Sequence, residues 1–209
     1  IVSEPTELRL ALAHKGFVAF EIELQGRAAH GSRPDLGVDA IARMGHVLVR
    51  LEELDRRLRA HPTHPLLGSG SVHASIISGG QEYSSYPDAC LLQGERRTIP
   101  GESVAHVEEE LAGLLAELDG EARVVAARDP FETSPDIDLA ALVHRHAGEP
   151  EVVGVPFWAD SALLSAAGIP TVVFGPAGEG AHAVVEWGDL GTVERCVEIY
   201  VAVAEEFCA

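Results

Sequence analysis

The chain has 209 residues, of which 46% are hydrophobic, and its 15 Lys and Arg against 33 Asp and Glu give a formal charge of -18 at pH 7. This length and hydrophobicity allow one large or two modest globular domains. The negative charge repels phosphate backbones and anionic lipid, and no apolar run reaches the roughly 20 residues of a membrane-spanning helix, so we expect no nucleic-acid or membrane partner.

The first part of the sequence predicts strands and helices in a split pattern. Apolar and polar residues alternate in some stretches, as in half-buried strands, and recur at helical spacing in others. In chain order the predicted elements are a strand over 17–24, a helix over 38–58 that Asp39 can cap, strands over 72–78 and 90–98, a helix over 104–118 and a short strand over 124–127. This succession is typical of a small ferredoxin-like sandwich.

The last part of the sequence follows a different pattern. It predicts helices over 139–147 and 160–167, a buried strand over 169–174 and a closing amphipathic helix over 192–207. Helix, buried strand, glycine-rich loop and helix are the elements of an α/β layer, and we place the boundary between the two architectures near residues 127–135. The predicted fold is therefore α/β with an α+β second domain.

Two loops carry residues suited to chemistry. The first, Gly175 to His182, follows the predicted buried strand, where glycines let backbone N–H groups approach an anion and His182 adds an imidazole. The second, Gly26 to Pro34, holds His30 and two arginines that could bind a carboxylate or an oxyanion. A tight surface loop accounts for either segment equally well on this evidence.

Charged residues on the predicted strands and helices are less specific. Arg96 and Arg97 are consecutive on a strand, so only one of them can point into a given cleft. The runs Glu52-Glu53 and Glu108-Glu109-Glu110 lie in amphipathic helices, and we interpret both as solvated faces.

Five motifs in order resemble the family of acetylornithine deacetylase and succinyl-diaminopimelate desuccinylase, which are two-zinc metallopeptidases and aminoacylases. The motifs are Ser3-Glu4-Pro5-Thr6; His14-Lys15-Gly16; Gly26-Arg27-Ala28-Ala29-His30-Gly31-Ser32 with Gly37-Val38-Asp39; Arg97-Thr98-Ile99-Pro100-Gly101-Glu102; and Asp160 with Gly168-Ile169-Pro170 and Gly175-Pro176 through His182. The resemblance runs nearly from end to end.

The resemblance implies a domain organisation. Residues 1–13 and 126–209 would form an incomplete zinc-peptidase-like α/β catalytic domain, and residues 14–125 an inserted ferredoxin-like lid that also forms a homodimer. The complete enzyme would hold two zinc ions, or cobalt or manganese in their place, and hydrolyse an N-acyl amino acid or a short peptide.

The resemblance also implies roles for six residues. Glu4 and His182 would be metal ligands, and a carboxylate and an imidazole are both suitable zinc donors. His30 would stabilise the tetrahedral oxyanion in the partner subunit's active site. Arg97 would contact the substrate carboxylate, with Gly175 and Gly178 nearby.

The sequence departs from the family in its metal ligands. A His-x-Asp ligand, a bridging aspartate and a Glu-Glu pair precede the Glu-Pro-Thr motif in the family and are absent from these residues. We therefore expect the chain alone to bind zinc poorly and to show no turnover. A non-catalytic dimerisation or binding module and a zinc carboxypeptidase acting on short peptides remain alternatives.

Two further features concern the origin of the chain. The three cysteines have no paired spacing, and their odd number is typical of a reducing compartment, which predicts a cytoplasmic protein. The chain opens with Ile1 and without a basic signal peptide. We expect that it is cut from something longer.

Overall fold

A computed structural model describes all 209 residues, which form two compact units. The α/β unit comprises residues 1–15 and 130–209, and the sandwich unit comprises residues 16–129, against predicted domain limits of 14 and 125. In chain order the elements are β1 (Leu10–His14), β2 (Gly16–Gln25), α1 (Ala40–Ala60), β3 (Ser71–Gly79), β4 (Ala89–Thr98), α2 (Val104–Leu114), β5 (Gly120–Arg128), β6 (Phe131–Glu132), α3 (Asp138–His146), β7 (Val152–Val155), α4 (Ser161–Ala166), β8 (Gly178–Glu179), β9 (Trp187–Gly188) and α5 (Leu190–Phe207).

The sandwich unit is an antiparallel sheet in the order β3-β4-β2-β5 with α1 and α2 on one face. Alternate residues of β2 and β4 are buried against the helices, as the period of two in the sequence predicts. The side chain of Asp39 accepts the Ala42 N–H and that of Ser103 accepts the His106 N–H, so both helices begin at a capped end. The predicted ferredoxin-like arrangement is confirmed.

The helix predicted over 104–118 is shorter than expected. Helix α2 ends at Leu114, after which the Leu115 and Ala116 N–H groups bond carbonyls only three residues back. Glu117 then takes a φ of 66°, in the left-handed region that a helix cannot pass through. Because the helix ends earlier than predicted, β5 begins at Gly120 instead of residue 124.

The α/β unit contains a small mixed sheet in the order β6-β1-β7. Strand β1 is antiparallel to β6 and parallel to β7. All five residues of β1 are buried, so it has no polar alternation, and neither β1 nor β7 was predicted from the sequence. Helices α3 and α5 pack on each other in this unit.

Residues 169–174 were predicted to form a buried strand, and that prediction is wrong because they do not form a regular strand. Only Val173 makes β-bridges, one to Val2 and one to Ala11. Pro170 has no N–H to donate, and the Thr171 hydroxyl donates to the Ile169 carbonyl at 2.7 Å, so the first half of the segment has fewer backbone groups available for strand pairing. The second half, Val172 to Phe174, is fully buried as predicted.

No helix combines the length and the apolar character that crossing a membrane requires.

Candidate functional site

The segment around Glu4 lies against the start of the glycine-rich loop. The Thr6 hydroxyl accepts the Gly175 N–H at 3.0 Å, and the Leu8 N–H bonds the Gly175 carbonyl at 2.9 Å. A Cβ on Gly175 would stand 2.1 Å from the carbonyl oxygen of Glu4, a distance that no side chain allows. Glycine at position 175 therefore allows the Glu4 backbone to pack directly against this loop.

His182 lies at the tip of a short hairpin in the same loop. Strands β8 and β9 form the hairpin, and the Ala177 N–H bonds the Thr192 hydroxyl at 2.9 Å, which ties its base to the start of α5. His182 is exposed and has a φ of 64°. Gly178 packs closely against the Trp187 carbonyl: a Cβ added at this position would lie 2.4 Å from that oxygen.

Close packing by itself accounts for glycine at 175 and 178, the two positions that the family resemblance places near the substrate. A backbone contact with substrate at either position stays a prediction.

A cavity of about 480 Å³ opens beside this loop. Its wall is acidic and aromatic, and none of its lining residues is basic. The residues that give it this character are Glu7, Glu179, Glu186, Phe157 and Trp187. The cavity therefore offers no cationic side chain to a substrate carboxylate.

The metal donors within the chain do not complete a zinc site. No hydrogen bond or ion pair links Glu4 to His182, and no group of three or more His, Cys, Asp or Glu side chains is placed to hold an ion. Zinc in proteins takes three or four protein ligands. Glu4 and His182 alone are too few donors to fit the ion.

His30 is held by its own loop in the sandwich unit. The loop pairs with residues 84–86 through the Gly31 N–H to Ser84 carbonyl bond of 2.6 Å and a bridge between His30 and Ser85. The Ser32 backbone N–H donates to His30 Nδ1 at 3.2 Å. Because Nδ1 accepts, the neutral imidazole carries its proton on Nε2, and the exposed ring presents an N–H donor.

Arg96 and Arg97 point to opposite faces of the sheet, as their adjacency on a strand requires. The Arg96 side chain is fully buried, and all five of its N–H groups are used: two on Glu102, two on Glu110 and one on the Arg97 carbonyl. Glu110 was interpreted from the sequence as part of a solvated face, and that interpretation is wrong because its carboxylate binds this guanidinium.

Arg97 lies on the face of the sheet that no helix covers. Its Nε donates to Glu95 at 2.6 Å, and its guanidinium carbon stands 5.7 Å from the centre of the Phe17 ring. Neither Glu95 nor Phe17 was predicted from the sequence as a partner of Arg97. The signal for Glu95 was its position two residues before Arg97, which places both side chains on one face of β4.

The sandwich inserted into an α/β unit, with the Glu-Pro-Thr segment packed on a glycine-rich loop, defines the class of two-domain α/β protein to which the chain belongs. Residues 12–123, more than half of the chain, match the family model described as the M20 peptidase dimerisation domain. The chain belongs to the M20 family of deacetylases and metallopeptidases.

Among its relatives, acetylornithine deacetylase of Myxococcus xanthus is 30% identical over 223 residues, an alignment that covers 100% of this chain and 57% of that protein. The enzyme of the same name from Proteus mirabilis is 28% identical and is covered to 56%. The chain thus spans little more than half the length of the curated relatives it matches.

Solved structures share the fold. A tripeptidase from Staphylococcus aureus superposes with a TM-score of 0.76 at 16% identity, covering 97% of this chain and 54% of that one. An M20 family metallo-carboxypeptidase from Sulfolobus solfataricus gives 0.73 at 15% identity, covering 97% and 62%.

Proposed function

We propose that this chain is part of a metal-dependent hydrolase that cleaves the amide bond of N-acyl amino acids. The observation that carries the proposal is the alignment of the entire chain with acetylornithine deacetylase at 30% identity. Two zinc ions, or cobalt or manganese, would supply Lewis-acid chemistry to the complete enzyme. Because the chain would contribute only Glu4 and His182 as ligands, the remaining ligands and the general base would come from residues outside these 209.

Two residues of the sandwich unit would act on the substrate. His30 would donate its Nε2–H to the oxyanion of the tetrahedral intermediate, a role supported by the exposed ring and the Nδ1 acceptor. Arg97 would bind the substrate carboxylate, which is supported by its half-buried guanidinium on the uncovered face.

A carboxypeptidase acting on short peptides is the second candidate. Arg97 would serve equally for the terminal carboxylate of a peptide, and the structural neighbours include a tripeptidase and a metallo-carboxypeptidase. A panel of N-acetyl amino acids and dipeptides separates the two activities, since each predicts a different preferred substrate.

The proposed enzyme would be a homodimer through the sandwich unit. Strand β3 is at the edge of its sheet, and an edge strand can pair with another strand. It exposes Ile76 and Ile77, and the adjacent helix α1 exposes Ile41 and Val49. An apolar edge of this kind fits a second copy of the same surface.

The test compares the 209-residue chain with the full product of its open reading frame. We expect the chain alone to retain little zinc after dialysis and to leave N-acetylornithine uncleaved, while a longer product binds metal and hydrolyses it. Turnover by the purified 209-residue chain, verified by intact mass, would contradict the need for outside ligands. A reading frame that begins at Ile1, with no metal bound and no turnover, would support the non-catalytic binding module instead.

A further inference from the structure

Helix α5 carries more apolar surface than its packing in the α/β unit uses. One stripe of the helix is buried in the unit and consists of Cys196, Ile199 and Val203. Beside it runs a second stripe of exposed residues, which we call the valine row: Val193, Val197 and Val201. Residues four apart on a helix form a ridge of the kind that packs against another helix. A contiguous exposed apolar surface of this kind marks a site of interaction.

The solvated face of α5 is a separate one. Arg195 binds Glu198 there, and Glu206 binds Arg145 and His146 of α3. At 100° per residue, the valine row lies between this charged face and the buried stripe. The apolar surface of α5 is therefore continuous, and only part of it is covered within the α/β unit.

A groove beside the valine row reaches the first residue of the chain. It has a volume of about 400 Å³ and a mostly apolar wall, to which Val203, Phe207 and Ile1 contribute. The Val2 N–H bonds the Val172 carbonyl at 2.9 Å, which fixes the position of Ile1. Burial lowers the pKa of the Ile1 amino group below its ordinary value, in agreement with its place in this Ile1 groove. A segment joined to Ile1 therefore starts next to the valine row.

The curated relatives are longer than this chain. The alignment with acetylornithine deacetylase of Myxococcus xanthus includes 100% of this chain but only 57% of that protein. A protein of that length has a large part outside these 209 residues, and that part is the occupant we assign to the surface. Because the valine row has the spacing of a helix ridge, the element that fits it is an amphipathic α-helix.

We propose that the valine row and the Ile1 groove form a docking surface for an amphipathic helix from the part of the protein outside these 209 residues, and that this helix stays bound when the two parts are separate polypeptides. The inference rests on the proposed function, which makes the chain one portion of a longer enzyme. A covalent link is unnecessary because the α/β unit has a buried core of its own, with β1 and Val172 to Phe174 enclosed. The surface lies on an ordered helix, so docking costs little conformational entropy on this side.

The test uses the full product of the reading frame with a specific protease site inserted before Ile1. After the folded protein is cut, we expect the two pieces to elute together in gel filtration. Cys208 reports on the groove because it lines it and is exposed, whereas Cys90 and Cys196 are buried. Alkylation of the Cys208 peptide, followed by mass spectrometry, should be about tenfold slower in the cut complex than in the isolated 209-residue chain.

A double variant of the valine row separates docking from folding. V197E with V201E places two carboxylates in the contact, where they would be buried without partners, and the 209-residue piece should leave the cut complex. The same variant should leave the urea midpoint of the isolated chain unchanged, since both valines are exposed in it. The control is V125E in the sandwich unit, because Val125 is 52% exposed and Val201 is 51% exposed. This variant should leave the cut complex intact.

The outcomes also separate docking from catalysis. Pieces that part after cutting, or a Cys208 that reacts equally fast in the complex and in the isolated chain, overturn the docking surface. Protection of Cys208 that grows with the concentration of the isolated chain overturns it too, because a second copy then fills the groove. A reading frame that begins at Ile1 overturns the inference together with its premise. A cut complex that stays together without hydrolysing N-acetylornithine supports docking and rejects the proposed activity, whereas hydrolysis with an unprotected Cys208 does the reverse.

Discussion

Removing one carboxylate from the buried Arg96 cluster tests how the sandwich unit is held together. In E102A the guanidinium loses two hydrogen bonds, at 3.1 and 2.8 Å, and the Ile99 N–H loses its acceptor at 3.0 Å. Arg96 is fully buried and Glu102 is mostly buried, which limits how well water can replace these bonds. Glu110 still compensates the charge of Arg96, so the cost is that of buried N–H donors left without acceptors, and we expect the unfolding free energy of the unit to fall by about 1 to 3 kcal/mol.

Hydrogen exchange followed by mass spectrometry gives the assay. Peptides from β4 report opening of the sandwich unit, whereas both tryptophans, Trp158 and Trp187, lie in the α/β unit. E102A should lower protection in β4 and leave the urea midpoint of tryptophan fluorescence unchanged. This comparison separates a local effect from general unfolding.

A triple variant, R96M with E102L and E110L, provides the matched control. Replacing a whole buried ion cluster by apolar side chains of similar volume is close to neutral, because no charge remains uncompensated. We expect it to recover most of the stability that E102A loses. A loss below about 1 kcal/mol in E102A, or a triple variant less stable than E102A, would refute the reasoning.

Three further predictions concern other parts of the chain. Burial lowers the pKa of His14 below 6.5, so the unfolded chain binds a proton more readily than the folded chain. The stability of the α/β unit should therefore be full above about pH 6.5 and fall at lower pH. H14F should flatten that dependence in urea titrations followed by fluorescence. G175A should destabilise the same unit by about 1 to 3 kcal/mol, because the added Cβ clashes with the Glu4 carbonyl. G188A should be neutral, because the atom nearest to its added Cβ is 3.9 Å away. Equal urea midpoints for the two variants would show that the loop shifts to relieve the clash. I77E should convert the proposed dimer to a monomer in light scattering, and a wild-type chain that is already monomeric would reject the dimer.

The sandwich unit was predictable because its residues follow a simple rule. One face of its sheet is covered and the other is not, so polar and apolar residues alternate along β2 and β4. Strand β1 is buried on both sides and only five residues long, which leaves no alternation to detect. The segment 169–174 had the composition of a buried strand, but Pro170 and the Thr171 hydroxyl bond limit its pairing, and these are local effects that hydrophobicity does not report.

The candidate site was predictable only as a set of residue types. Adjacency on a strand predicted that Arg96 and Arg97 diverge, but not which of them is buried. That choice depends on Glu102 and Glu110, which reach Arg96 from a turn and from the next helix. Phe17 became visible as a partner of Arg97 only when β2 and β4 were paired, whereas the position of Glu95 two residues before Arg97 already placed it on the same face of β4.

The chain passes between its two units at neighbouring points, so the sandwich unit is an insertion with its ends side by side. His14 is paired with Phe131 just outside the insertion, and Phe17 with Arg128 just inside it. A turn of a few residues could therefore join β1 to β6 in place of residues 16–129. Another domain whose termini are adjacent could also be inserted at this position. Such chimaeras would let the two halves of this architecture be exchanged between relatives as separate modules.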